Sequence, residues 1–281
     1  MTQTIQEHYT DFIGNSKLST MIAYFSYVNF FTLLFYLYHH YNVISTAVSL
    51  QQMTYLVIFA SITAVLMLFR RYSYTVVFLL STFTMIVVWR LCGLVHLTLL
   101  TYLYGLNILL KIFSYIICSY NSIRAGKLYY EWQLFFVRIF IGYDMIPHFC
   151  EKLFAGGAIR AEDVHAFVSL GVPHPLTFVI LAGLIEFFAA LAISSGFLTR
   201  LASISFVVYL FVATYLGHHF GNGFIWASPG GGWEYPLLLM GLFAVFATLG
   251  AGEFSLDGFL SDHFTLPTWI RYLMGGGMRK D

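Results

Sequence analysis

Long apolar runs alternate with short polar links along this chain. Eight runs stand out, at roughly 18–38, 50–69, 73–90, 94–117, 132–150, 176–198, 201–217 and 235–250. An α-helix rises ~1.5 Å per residue, so about 20 apolar residues cross a hydrocarbon core of ~30 Å. The strands of an outer-membrane barrel would instead alternate over ~10 residues. The pattern therefore predicts an all-α polytopic membrane protein with about eight transmembrane helices. No small-residue cleavage pattern follows the first run, which reads as a retained span rather than a signal peptide.

Lysine and arginine in short links gather on the cytoplasmic side and so orient the spans. With the N-terminus inside, the inner segments hold Lys17, Arg70, Arg71, Arg124, Lys127, Arg200, Arg271, Arg279 and Lys280. The outer segments hold only Arg90, Lys152 and Arg160. Both termini are thus expected in the cytoplasm. The polar link 121–131 is the best internal boundary and suggests two four-helix bundles. These are an N-terminal four-span extension over 1–125 and a second four-span domain over 131–260, followed by a cytoplasmic tail over 261–281. Trp269 and Tyr272 in that tail suit a helix lying on the inner leaflet.

Composition then excludes several classes. The chain is 59% hydrophobic and 10% charged, against roughly 25% charged in soluble domains. Fourteen Lys+Arg against thirteen Asp+Glu leave no basic surplus for a nucleic acid. The bilayer is the partner that composition demands. Three cysteines without a CxxC exclude a disulfide scaffold. Cys92 and Cys150 both fall near the outer side, which leaves a disulfide open beside the plainer reading of two buried thiols. No haem, flavin or iron–sulfur motif is present, so no cofactor is evident from the chain alone.

The few charges are unevenly placed. No acid lies between Asp11 and Glu131, so the chemistry concentrates in the second half. The fifth run and its outer flank carry Arg138, Asp144, His148 and Lys152 on one broad helical stripe. Pro147 there removes an amide and frees the carbonyl of residue 143. Glu186 stands alone near the centre of the sixth run. Ionisable groups inside a membrane cost a few kcal/mol and usually face a partner or a cavity. Arg138, Asp144, His148 and Glu186 are therefore the candidate catalytic or proton-relaying residues. A buried Arg138–Glu186 pair with Asp144 near the outer mouth is the expected arrangement. It would serve either as an ion pair that locks the bundle or as a polar path or quinone-headgroup site opening outward.

Orientation places eight of ten histidines at outer span ends or in outer loops, a distribution that fits either an outward site or interfacial packing. The last outer loop, LGHHFGNGFIWASPGGGWEYP, contributes His218, His219, Asn222, Trp226 and Glu234. With Lys152 these are the candidate cofactor-binding residues, in a loop that would cover the polar stripe. Adjacent rings at 218–219 lack the i, i+4 spacing of a helical metal site, and no metal is expected.

Seven pieces, in order, now resemble the DoxX family of four-span membrane proteins. They are RxxxG at Arg138–Gly142, KLF at Lys152–Phe154, the mid-span Glu186, and GFLTR at Gly196–Arg200. The rest are NGFIW at Asn222–Trp226, GGWEYPLLL at Gly231–Leu239 and GAGEFSLD at Gly250–Asp257. The resemblance covers the second half, and the first four spans lie outside it. It implies an integral subunit of a quinone-linked oxidoreductase system in a bacterial-type inner membrane. A quinone would be the cofactor and a redox protein at the outer face the partner. Fold-level likeness is a weak warrant for a reaction. Two alternatives therefore stand: a small-molecule or ion transporter gated by the glycine-rich loop, and a structural membrane anchor for an oxidoreductase complex.

Overall fold

The computed structural model describes residues 17–42, 44, 48–70, 72–124 and 129–275, without the side chains of 118–124 and 129. His8, Arg71, Lys127, Arg279, Lys280, the side chains of Cys118 and Arg124, and part of the 121–131 link lie outside the described residues. Among the described residues every regular element is a helix. In chain order these are α1 (Lys17–His39), α2 (Leu50–Leu68), α3 (Tyr74–Leu94), α4 (Thr98–Arg124), α5 (Tyr129–Asp144) and α6 (Ile146–Leu153). They continue with α7 (Gly157–Ser169), α8 (Pro175–Ser195), α9 (Thr199–Leu216), α10 (Glu234–Leu249), α11 (Leu256–His263) and α12 (Thr268–Met274).

Among the described residues six helices are long and apolar enough to cross a membrane: α1, α2, α3, α4 as far as Ile117, α8 and α9. Two of the eight expected spans take another form. The run 132–150 is divided at Met145 into α5 and α6. Pro147 explains the break, because it cannot donate to the carbonyl of residue 143 and fits the first turn of a new helix. The last run becomes α10, an apolar helix of 16 residues, and α5 has the same length. Sixteen residues extend about 24 Å, less than a full hydrocarbon core.

The chain folds as two compact units. One comprises residues 1–129 with 146–160, the other 130–145 with 161–281. In the N-terminal unit α1 packs on α2 and α4, α2 on α3, and α3 on α4 and α6. Helix α3 is the central element, with 67% of its apolar window buried against 33–39% for its neighbours. A capping box starts α2, where Ser49 Oγ accepts from the Gln52 amide and the Gln52 side chain accepts from the Ser49 amide. Helix α6 is tied in by the Gln52 side-chain Nε2, which donates to the Ala155 carbonyl just past its end, and by the Arg90–Glu151 ion pair.

In the C-terminal unit α9 is the hub, packing on α8, α10 and α12. Phe206, Phe243 and Phe246 are fully buried there, with the Phe206 and Phe243 rings 4.6 Å apart. Large apolar side chains such as Phe31, Phe35 and Phe113 in one unit, and Phe188, Val208 and Phe211 in the other, stand exposed on helices of spanning length. That outward apolar surface is what lipid covers, so the chain is a polytopic membrane protein.

Candidate functional site

The C-terminal unit gathers its polar side chains at three levels. The first is the end that the basic residues assign to the cytoplasm. Arg138 is fully buried and donates from Nη1 to the carbonyls of Ile193 (3.2 Å) and Ser194 (2.8 Å), and from Nη2 to that of Phe254 (2.6 Å). It thereby adds donors to carbonyls at the C-terminal end of α8, where the Ile193 carbonyl also accepts from the Gly196 amide at 3.1 Å. Gly142 lies one turn further along the same face of α5. A Cβ there would meet the Ser194 backbone nitrogen at 2.7 Å, so the glycine allows α5 to approach the end of α8. The RxxxG spacing is thus one device, a guanidinium that caps a neighbouring helix and a gap that admits it.

The turn that follows is held from the other side. Gly196 ends α8 in the left-handed conformation (φ 68°), and Leu198 also has positive φ (45°). Asp257, 4% exposed, accepts from the amides of Leu198 (2.8 Å) and Thr199 (3.0 Å) and from the Thr199 hydroxyl (2.8 Å). It acts as the N-cap that Leu198 cannot provide. Burial is the largest influence on Asp257 and pushes its carboxyl up to about 6, against the opposing pull of those hydrogen bonds and of the Arg138 charge. Arg200 completes the cluster. It donates to the carbonyls of Ala247 and Thr248 at the end of α10 and of Tyr272 in α12, and lies 4.9 Å over the Tyr272 ring.

At mid-span Glu186 is buried, and its Oε1 accepts from the Tyr209 hydroxyl of α9 at 2.8 Å. The Tyr209 ring stacks on Phe206. Arg138 is seated by residues 193–194, about two turns from Glu186 along α8, so the hydrogen bonds place these two candidates at different depths.

The third level is the opposite end, which the basic residues predict to face outward. Asp144, at the last position of α5, accepts a hydrogen bond at Oδ2 from the Tyr235 hydroxyl of α10. The Trp226 ring lies 5.5 Å from that of Tyr235 and 5.4 Å from that of His219. The surrounding loop is built by its own polar groups. Glu234 accepts from the Trp226 amide, Asn222 donates to the carbonyls of Gly230 and Gly231, and His219 Nδ1 faces the Gly231 carbonyl at 2.9 Å. A carbonyl only accepts, so that nitrogen carries the proton. His218 is exposed and turns the chain with φ 57°.

His148 and Lys152 belong to the N-terminal unit. His148 is exposed, and Lys152 Nζ donates to its carbonyl at 3.2 Å, which helps to end α6. The structure therefore brings Asp144, His219, Trp226 and Glu234 into one neighbourhood and puts Arg138 and Glu186 at two others. Residue reasoning missed Tyr209 and Tyr235 as carboxylate partners. Tyr235 was within sight, adjacent to Glu234 in the GGWEYP piece, but a tyrosine in an aromatic-rich chain carries little signal of its own.

The DoxX family model matches residues 133–219. A protein of Escherichia coli (strain K12) named "Inner membrane protein YphA" is 31% identical over 102 residues, which cover 34% of this chain and 69% of the relative. No solved structure matches the chain.

Proposed function

The chain belongs to the DoxX family, and we propose that its C-terminal unit is an integral inner-membrane subunit of a quinone-linked redox system. The quinone headgroup would be received at the outer end, between Trp226, Tyr235 and Asp144. The inner-membrane placement follows the name of the Escherichia coli relative.

One observation carries this reading. The Asp144–Tyr235 hydrogen bond is partly buried and stands beside the exposed face of Trp226. A quinone headgroup is a flat ring with two carbonyl acceptors, and these residues fit it. Trp226 offers a face for stacking. Tyr235 offers a hydroxyl that can turn to a carbonyl. Asp144 offers an acceptor within reach of that hydroxyl's proton. A bound quinone would supply two-electron, two-proton redox chemistry. His219 and Glu234 hold the Trp226 segment in place.

A second reading, a structural anchor for an oxidoreductase complex, draws on a different observation. Arg138, Gly142, Gly196, Thr199, Arg200 and Asp257 all fasten one end of the unit. The test is titration of decylubiquinone into the full chain in nanodiscs, read by tryptophan fluorescence. Saturable quenching that weakens about tenfold in Tyr235→Phe supports the quinone site, a loss of about 1.4 kcal/mol. Absence of quenching, with an oxidoreductase still co-purifying, favours the anchor.

A further inference from the structure

Most of the N-terminal unit lies outside the family match, which reaches it only at residues 146–160, and its described residues carry more positive than negative charge. Among its described residues Glu151 is the only carboxylate, and it pairs with Arg90. Lys111, on α4 inside a span, is 3% exposed. Its Nζ donates to the Ser81 hydroxyl of α3 and lies 3.8 Å from the Met67 sulfur of α2. Arg70, just past α2, donates from Nη1 to the Met67 carbonyl at 3.3 Å. Tyr27 of α1 packs against the Ala23–Met67–Val77 cluster and is within electrostatic reach of Arg70. Two cations and a phenol from three helices thus converge around Met67.

Two of their polar atoms, Arg70 Nε and the Tyr27 hydroxyl, are buried without a hydrogen-bond partner among the described residues. Buried donors cost about 1–3 kcal/mol each when unsatisfied, and charged ones more. A buried cation without an anion costs several kcal/mol. Ser81 and Met67 supply lone pairs to Lys111 but no negative charge. An anion with several acceptor oxygens would complete the arrangement. The place is the end of the unit that carries Lys17 and Arg70, where the basic residues predict the cytoplasmic leaflet. Basic recesses between helices at that level receive anionic headgroups.

We propose that Arg70, Lys111 and Tyr27 form a binding site for the phosphate of an anionic lipid headgroup. Arg70 holds the phosphate as a forked donor, Tyr27 adds a neutral donor, and Lys111 supplies a compensating charge from within the bundle. The acyl chains then lie along the exposed apolar faces of α1 and α2. This site is independent of the quinone reading, since it uses other residues in the other unit.

The test is thermal unfolding of the full chain in nanodiscs of phosphatidylcholine alone, of phosphatidylcholine with phosphatidylglycerol, and of phosphatidylcholine with added inorganic phosphate. Phosphatidylglycerol is expected to raise the wild-type Tm by roughly 3–6 °C. Lys111→Met and Arg70→Gln are expected to lose most of that rise whatever their own Tm. Tyr27→Phe, which removes one hydroxyl and keeps the ring, is expected to lose about half. An equal rise with inorganic phosphate supports the same site with a free anion as its occupant. No rise with either anion, or a rise of the same size in the wild type and all three variants, overturns the proposal.

Discussion

Replacing Arg138 with methionine tests what the buried charge of the C-terminal unit is for. The side chain is fully buried and makes three hydrogen bonds to backbone carbonyls, at 3.2, 2.8 and 2.6 Å. Methionine keeps much of the volume but donates nothing. Ile193, Ser194 and Phe254 would then hold buried carbonyls without these donors, and the Asp257 carboxylate would lose a compensating charge. Removing one partner of such a buried network costs about 3–5 kcal/mol. At roughly 2–4 °C per kcal/mol for a chain of this size, the Tm should fall by about 10 °C. Arg138→Lys should fall between, because an ammonium cannot reach three carbonyls in a fork. The assay is differential scanning fluorimetry of the purified protein in one detergent, with the near-ultraviolet signal as a check on packing. A variant within about 2 °C of wild type would refute the capping role and return Arg138 to the list of functional charges.

Three further outcomes follow from the same end of the molecule and from the other unit. Asp257 holds its proton up to about pH 6 in the folded protein, against 3.8 for the ordinary carboxyl. The folded state therefore binds more protons than the unfolded state between those values. The extra stability is complete below about pH 4 and is lost as pH rises through 6, amounting to roughly 3 kcal/mol in all. Tm measured from pH 4 to 7.5 should fall in wild type by more than in Asp257→Asn, and parallel profiles would count against it. Gly196→Ala adds a Cβ that would sit 2.5 Å from Arg138 Nη1 and Ser255 Cβ at φ 68°, so a loss of about 2–4 kcal/mol in chemical unfolding is expected. Glu151→Gln breaks an ion pair whose side chains are 31% and 36% exposed, and the same measurement should show less than about 1 kcal/mol.

The spans were legible because their signal is local. Apolar runs of membrane length fall where α1–α4, α8 and α9 form, and Pro147 marked the place where the fifth run divides. The last run, 235–250, falls within one residue of α10 at either end, although its 16 residues are shorter than a full span. The candidate site was legible in part. Counting acids and histidines by position pointed to Asp144 and to the His219–Glu234 loop. It also suggested Glu186 as the mate of Arg138. The carbonyls that Arg138 caps are present in every residue and leave no mark in a sequence, so the capping role could emerge only from coordinates. Lys111 lies within an apolar run in the half without acids, and its place beside Ser81 and Met67 shows only in the fold.

The claim that the outer end of the C-terminal unit receives a quinone rests on the Asp144–Tyr235 pair and the face of Trp226. The most direct measurement is the Kd of decylubiquinone for the full chain in nanodiscs, with Tyr235→Phe and Asp144→Asn compared at unchanged Tm. Micromolar binding in the wild type, weakened about tenfold in each variant, is the predicted result. No saturable binding in the wild type, or equal binding in all three proteins, would contradict it.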